Sequence, residues 1–276
     1  MSIDYNRLYS RRLFLLSASA LSITSLPCLG FSEEQVHMHA DDDASLFQPT
    51  PHDTLLKFNT DGSPRSFSGN TVVCHLPLQS PIRDAVVQLG AELRLSPFAH
   101  KLGLLPDDSY HITILGGAND QDRGRYGWPS DIPIDAPMSE CNRLLCQRIT
   151  HFRVREELPL RFRVSAERTL KFQRASGIQV DPLDQNEIKK LHSIRNRMAD
   201  DVFRFRAEGH NSFRFHISLA YQLRPFTNVE RNQYQEMMVR HLEAIIATVP
   251  VIELGEPEFC TFHDMYRFEI QSLLRT

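Results

Sequence analysis

The sequence has little cysteine and no excess of charge of either sign. Five cysteines in 276 residues are too few for a small domain held together by disulfides. With 31 Lys and Arg against 34 Asp and Glu, the net charge is −3, which argues against a protein that coats duplex nucleic acid, because such a protein needs a basic surface. Hydrophobic residues make up 41% of the chain. This fraction is too high, and the net charge too low, for a wholly disordered chain. The composition therefore predicts a globular protein.

The first 30 residues depart from this globular pattern. Arg11 and Arg12 directly precede an apolar run over residues 13–29, an order that resembles the twin-arginine export signal. Serines, a threonine and a proline make this run less apolar than a membrane span, which needs about 20 strongly apolar residues. We therefore expect export to a periplasm or lumen, with the signal either removed near Gly30 or retained as an anchor.

A polar segment over residues 31–68 follows, and it is interrupted by prolines. His37 and His39 lie next to three aspartates at 41–43. Such a cluster contains metal ligands, but a disordered segment gives them no fixed geometry. We therefore expect a linker between the signal and a folded domain over residues 69–276.

The domain contains one order of strands and helices twice. Apolar residues recur with the period of a helix or alternate as in a strand, which gives the assignments. In the first unit they predict a strand from Thr71, a helix over 80–95 and a strand over 109–115 that ends at a glycine pair; in the second they predict a strand over 177–180, a helix over 184–205 and a strand over 213–220.

Each unit then continues with a helix and a hairpin. The helices are predicted over 138–152 and 228–249, and the hairpins over 158–164 with 169–172 and over 251–254 with 258–262. This duplication predicts an α+β chain with two similar lobes, about residues 69–172 and 173–276. The connection over residues 116–137 is much longer than its counterpart, and a loop of roughly 20 residues is more often functional than idle, so we expect a flap over a site.

Two of the predicted strands carry a histidine followed two residues later by a hydroxyl side chain. Side chains alternate between the two faces of a strand, so His111 and Thr113 share a face, as do Arg214, His216 and Ser218. The other residues of both strands are mostly aliphatic or aromatic and supply a core. If the lobes pack with their polar faces together, two imidazoles and two hydroxyls meet in one cleft.

This combination suits displacement at a phosphodiester. A neutral imidazole can take a proton from the attacking water or hydroxyl, and a protonated one can donate to the leaving oxygen. Histidine can do both because its ordinary pKa of about 6.5 allows either form near neutral pH. Hydroxyl groups can hydrogen-bond the phosphate oxygens in the transition state.

These residues resemble the signature of the two-histidine (2H) phosphoesterase superfamily, a pair of His-x-Thr/Ser motifs, each on a strand of one of two pseudo-symmetric lobes. The motifs here are His111-Ile112-Thr113 and His216-Ile217-Ser218. Their surroundings are most similar to a little-characterised bacterial and fungal branch, over residues 69–276. The resemblance implies two mostly antiparallel sheets with outer helices, facing each other across a central cleft. It also implies activity at 2′,3′-cyclic phosphates or 2′-5′ linkages, with no metal and no cofactor.

We therefore predict an exported cyclic phosphodiesterase in which His111 and His216 are base and acid, in an order that the sequence leaves open, and Thr113 and Ser218 bind the phosphate. The expected partner is a small phosphodiester or a short RNA end, not duplex nucleic acid or, apart from the export signal, a membrane, and we expect a monomer. The alternative is a nucleotide- or phosphate-binding module without turnover, which does not need both imidazoles. A metal-dependent hydrolase would need carboxylates beside the histidines, and neither motif supplies one.

Four further residues are candidates for substrate contacts. The Arg214 guanidinium suits a phosphate, although an exposed arginine without a role explains it equally well. Tyr221 and Trp128 could stack on a base, and Trp128 could instead anchor the long loop. Asn119 follows the glycine pair near the expected cleft rim, where turn formation is an equal explanation.

Three residues on predicted strands have no assigned role. His75 could project into the cleft or be a structural histidine. Cys74 and Cys260 could form a disulfide in an oxidising compartment, and free buried thiols are the default expectation.

Overall fold

The computed structural model describes residues 54–154, 157–171 and 175–275. The predicted signal, residues 31–53 of the predicted linker and residue 172 of the first predicted hairpin lie outside these ranges. In the described ranges, no helix combines the length and the apolar character that a membrane crossing requires.

Nine strands and six α-helices form the described structure. The strands are β1 (Gly69–His75), β2 (Leu102–Leu104), β3 (His111–Asn119), β4 (Leu160–Val164), β5 (Ala175–Pro182), β6 (His216–Gln222), β7 (Ile252–Leu254), β8 (Glu258–Phe262) and β9 (Glu269–Leu273). The helices are α1 (Thr54–Lys57), α2 (Pro81–Leu95), α3 (Met138–Ile149), α4 (Ala166–Lys171), α5 (Gln185–Arg197) and α6 (Asn228–Thr248), and a π-helical segment, Met198–Phe203, continues α5.

All the strand pairs are antiparallel, and they follow one path in the order β7-β4-β5-β6-β3-β1-β8-β9, with β2 beside β6. The α+β class with an antiparallel sheet is thereby confirmed. The order is symmetric about the central pair β3 and β6: β1 and β5 lie outside these two strands, and β8 and β4 lie outside β1 and β5.

The two sequence units exchange strands within this sheet. In the first unit, β4 pairs with β5 and β7 of the second, whereas β8 of the second unit pairs with β1 of the first. Residues 69–172 and 173–276 are therefore interlocked in one sheet path, and a pair of separate sheets facing each other across a cleft stays a prediction.

Helix ends follow local capping chemistry. The Ser80 hydroxyl accepts a hydrogen bond from the Arg83 backbone N–H. Pro81 occupies the first turn, where its missing backbone N–H breaks no hydrogen bond of the helix. Thr227 and Glu230 form a reciprocal capping box at the start of α6. These signals explain why both helices begin where the sequence pattern predicts.

The predicted end of the histidine strand at Gly116-Gly117 is wrong. Strand β3 continues to Asn119 because β1 pairs with it as far as Gly69. A Cβ atom on Gly117 would lie 2.0 Å from Oδ1 of Asn70, which accepts a hydrogen bond of 3.0 Å from the Ala118 N–H. Glycine is required there for close approach of the neighbouring strand, not for a turn.

The predicted hairpin over 158–164 with 169–172 is also wrong in its second half. Thr169 lies in α4, where its hydroxyl donates to the Ser165 carbonyl at 2.8 Å and accepts from the Gln179 N–H at 2.9 Å. The partner of β4 is β5 instead. Strand β9, which the sequence pattern did not predict, pairs with β8.

The fold begins earlier than residue 69. Helix α1 starts at Thr54, and the ring of Phe58, with 0% of its surface exposed, lies 5.1 Å from the Tyr221 ring. The Phe67 N–H donates to the His263 carbonyl at 2.7 Å. Residues 54–68 therefore pack as part of the domain instead of forming a linker, because two aromatic side chains in the polar segment have core partners.

Candidate active site

The central strand pair brings the two motifs together. Ile112 on β3 pairs with Ile217 on β6 in antiparallel register, and both isoleucines are fully buried. In this register His111 lies opposite Ser218, and Thr113 lies opposite His216. These four side chains occupy the other face of the sheet and are only half-buried, so each imidazole faces the hydroxyl of the other motif.

A β-bulge follows each motif at the same point. Ile114 on β3 is an extra residue opposite β1, and Leu219 on β6 is an extra residue opposite β5. An inserted residue inverts the alternation of side chains beyond it. The inversion places Gly116 and Tyr221 on the same face as the histidines, as part of the site's floor.

Both histidines are held by the same hydrogen bond. Nδ1 of His111 lies 2.6 Å from the Ser109 carbonyl oxygen, and Nδ1 of His216 lies 2.9 Å from the Arg214 carbonyl oxygen. A carbonyl oxygen only accepts, so each Nδ1 carries a hydrogen and donates it. The Nε2 atom of each ring is therefore the one that gains or loses a proton.

Burial disfavours the charged form of both imidazoles. It lowers the pKa of His111 to about 3, against the hydrogen bond to Ser109, and the neighbouring His75 and His216 lower this pKa further. Burial likewise lowers the pKa of His216, and Lys57 and Arg168 add to that effect. Without an anion in the site, both rings are neutral at pH 7.

A second polar residue flanks each histidine on the neighbouring strand. His75 lies opposite His111, with ring centroids 5.8 Å apart, and its Nδ1 bonds the carboxylate of Glu258. Gln179 lies opposite His216, and its Oε1 accepts from Arg168 at 3.0 Å. His75 is thus bonded to a carboxylate and Gln179 to a guanidinium, although the two residues occupy equivalent strand positions.

Sequence reasoning missed Lys57 and Arg168. Lys57 lies in the segment predicted as linker, and its ammonium group is 5.0 Å from the centre of the Tyr221 ring. Arg168 lies in the segment predicted as hairpin and also pairs with Asp181. Chain folding, not local pattern, brings both cations near His216, so no sequence signal marked them.

Of the further candidates, Tyr221 lies on the site face with part of its surface exposed. Arg214 precedes β6 and is exposed; its backbone carbonyl, not its guanidinium, contacts His216. Trp128 is 4% exposed, and its Nε1–H donates to the carbonyls of Ile132 and Pro133, both at 3.2 Å. The indole therefore anchors the loop and has no free face for stacking on a base.

Asn119 does not reach the site. It ends β3, eight residues from His111, which corresponds to about 26 Å along a strand at roughly 3.3 Å per residue. Its Oδ1 accepts from the backbone N–H groups of Gln121 and Asp122, at 2.9 and 3.0 Å. Asn119 is a turn-forming residue, the alternative that the sequence left open.

The part of the long connection that follows β3, residues 120–137, is tied to other elements. Asp131 pairs with Arg148 on α3 at 2.6 Å and with Arg204 after the π-helical segment. The hydrogen bonds and ion pairs described for this part do not involve the four motif residues. The structure thus gives no support to the predicted flap.

The cysteines on the strands are free thiols. Cys74 and Cys260 are both buried and unbonded to each other, and burial raises the pKa of both thiols. Cys260 nevertheless lies with His75 and Glu258 in a group of three potential metal ligands, the one such group in the described residues.

One family model matches part of the chain. Residues 57–172 match the family model 2H-phosphodiest, described as a domain of unknown function (DUF1868). The match includes the first motif and begins at Lys57. The resemblance to the two-histidine (2H) phosphoesterases is thereby confirmed for this segment. No curated relative matches this chain.

Solved structures extend the likeness beyond the first unit. A conserved protein of unknown function from Agrobacterium tumefaciens is 26% identical, with a TM-score of 0.73, and the likeness covers 83% of this chain and 95% of that chain. LigT of E. coli is 12% identical, covering 77% of this chain and 100% of its own, with a TM-score of 0.39. TT0787 of Thermus thermophilus is 15% identical, covering 75% and 98%, with a TM-score of 0.40. The last two likenesses are too weak to support an inference.

Proposed function

We propose that this chain is a 2H phosphoesterase that hydrolyses a small phosphodiester, a 2′,3′-cyclic phosphate or a related short oligonucleotide end, by acid–base catalysis with His111 and His216. One observation carries the proposal: two imidazoles with Nδ1 fixed on a backbone carbonyl lie on one face, each opposite the hydroxyl of the other motif. A binding module without turnover does not need two rings held in this matched way.

The proton transfers follow from the free Nε2 atoms. His111, whose neutral form is the more strongly favoured by burial, takes a proton from the attacking water. His216 donates its proton to the leaving oxygen as the phosphorus–oxygen bond breaks. A bound phosphate anion beside His216 raises its pKa and supplies the protonated form that the empty site disfavours. Solvent exchange then restores both rings.

The hydroxyls and cations account for the phosphate. Thr113 and Ser218 can donate to its non-bridging oxygens, where negative charge is held in the transition state. Lys57 and Arg168 place positive charge on the His216 side, and exposed Arg214 can add to it. The half-buried ring of Tyr221 is available for contact with a base or sugar. A net charge of −3 and positive charge confined to one side of the site fit a small ester better than a long nucleic acid.

The test is hydrolysis of 2′,3′-cyclic nucleotides by the purified chain, followed by chromatography of the products. We expect His111→Ala and His216→Ala each to lower kcat by about 10²–10⁴-fold. His151→Ala, which removes an exposed histidine, is the matched control and should leave kcat unchanged. Full activity in either site variant would refute the paired acid–base roles.

Two further arms separate the other classes of protein. Activity that disappears with EDTA and returns with a divalent cation would show a metal-dependent hydrolase. Binding of cyclic nucleotides without turnover on a broad substrate panel would show the non-catalytic binding module.

We also propose that the protein acts outside the cytoplasm. The arginine pair and apolar run of residues 1–30 support this proposal.

A further inference from the structure

We propose that His75, Glu258 and Cys260 form a binding site for a borderline-soft divalent cation of the Zn²⁺ class. The inference does not depend on the proposed phosphodiesterase activity, because it rests on a different set of side chains and is tested by binding alone.

The sheet brings the three ligands together from two neighbouring strands. Cys260 and Glu258 are two residues apart on β8 and therefore point to the same face, and β1 beside them carries His75 on that face. One ligand atom from each residue lies within 4.8 Å of the others. Because the three positions are fixed by paired strands, the cluster is preorganised.

Small side-chain movements would complete the coordination. Bonds of 2.0–2.3 Å to nitrogen, oxygen and sulfur place the ligands of a tetrahedral Zn²⁺ roughly 3.3–3.8 Å apart. The widest separation in the cluster therefore needs to close by about 1 Å. The hydrogen bond between His75 and Glu258 must open, and both residues keep part of their surface exposed, with 20% and 17% of the side chains accessible.

The donor set is specific in its chemistry. Imidazole nitrogen, carboxylate oxygen and thiolate sulfur are all Zn²⁺ ligands, whereas thiolate sulfur disfavours Mg²⁺ and Ca²⁺. Three protein ligands leave one position for water. Cys260 is fully buried, so its thiol is shielded from bulk oxidants and would be the anchoring ligand.

Charge balance favours the bound state. As metal ligands, the Cys260 thiolate and the Glu258 carboxylate supply two negative charges against the two positive charges of the metal, with His75 neutral. The buried site then carries no net charge, which lowers the penalty for burying the cation.

The test uses Co²⁺ as a spectroscopic substitute for Zn²⁺ with the full chain under reducing conditions. Thiolate ligation gives Co²⁺ an intense near-ultraviolet charge-transfer band, which nitrogen and oxygen ligands alone do not give. We expect this band at one Co²⁺ per chain and its loss when Zn²⁺ is added. Cys260→Ser should abolish the band, and Glu258→Gln should weaken Co²⁺ binding at least about 10-fold, the smallest loss typical even of outer-shell changes.

Two controls make the outcome decisive. Cys146→Ser removes a half-exposed thiol on α3 and should leave the band intact, and His216→Ala should do the same if the catalytic histidines are not the ligands. The proposal is overturned if Co²⁺ gives no thiolate band, if the band survives in Cys260→Ser, or if His75→Gln and Glu258→Gln bind like the natural sequence. Circular dichroism of each variant establishes that it is folded, and the Glu258→Gln result stands if Cys260→Ser is not.

Discussion

Replacing Gly177 with alanine should damage the site without touching any of its functional side chains. Gly177 on β5 lies opposite Ser218 on β6. A Cβ atom at this position would lie 2.5 Å from the Ile217 carbonyl oxygen and 3.3 Å from the Ser218 Cα atom. Both are backbone atoms between His216 and the bulge at Leu219, so they cannot rotate away as a side chain could.

The size of the effect follows from that distance. An ordinary contact needs about 3.4 Å, so the strand that carries His216 and Ser218 must shift by about 0.9 Å. Misplacement of reacting groups by 1 Å can cost about 10²-fold in rate, and overpacking of a filled core costs about 1–3 kcal/mol. We therefore expect kcat of Gly177→Ala to fall about 10²-fold, together with a stability loss of that size.

The assay is cyclic-nucleotide hydrolysis beside urea unfolding, both at a temperature where the variant is fully folded. Gly255→Ala is the matched control, since a Cβ there meets nothing within 4 Å, and both quantities should stay at their natural values. Natural kcat in folded Gly177→Ala would refute the view that this strand position sets the catalytic geometry. Unchanged stability would refute the close backbone contact itself.

Three other predictions concern stability and location. Burial lowers the pKa of His111 to about 3, so below about pH 6.5 the unfolded chain binds a proton at this residue that the folded chain does not bind. The free energy of unfolding should therefore fall as the pH drops from 6.5 toward 3, by at most about 1.4 kcal/mol per pH unit. Urea unfolding of His111→Asn should show a shallower decline with pH, and an equal decline would contradict the burial of His111. Phe58→Ala should lower the free energy of unfolding, measured in urea, by about 3–5 kcal/mol. Leu78→Ala, at a side chain that is 78% exposed, should lower it by less than about 0.5 kcal/mol. Equally small losses in both variants would indicate that residues 54–68 are a linker. Replacing Arg11 and Arg12 with lysine should retain the protein in the cytoplasm on cell fractionation, and unchanged location would count against a twin-arginine signal.

Sequence patterns predicted the local part of this structure well. The start of α2 follows from Ser80 and Pro81, and β8 lies at the predicted residues 258–262. The faces of the histidine strands follow from alternation as far as Thr113 and Ser218. Each of these features depends on neighbours within a few residues along the chain.

The features that the sequence patterns missed depend on distant residues. The bulges at Ile114 and Leu219 insert one residue into a period of two, and nothing in the residues themselves marks an insertion. Tyr221 therefore reaches the site face through a shift that alternation cannot predict. Lys57 and Arg168 come near His216 only through chain folding. Thr169 lies in helix α4 and not in a strand, because β5 is the strand that pairs with β4.

The exchange of β4 and β8 between the units has a consequence for how the chain acquires its structure. The described neighbours of β4 both come after residue 174, and the outer neighbour of β1 begins at residue 258. A ribosome that has released only the first unit has therefore made a polypeptide with one unsatisfied strand and one open edge. The segment that matches the family model, residues 57–172, therefore lacks the strands that pair with its β4 and with the outer side of its β1. The outer pairing of β1 and the pairing of β4 with β7 must therefore wait until residues 252–262 have been synthesised.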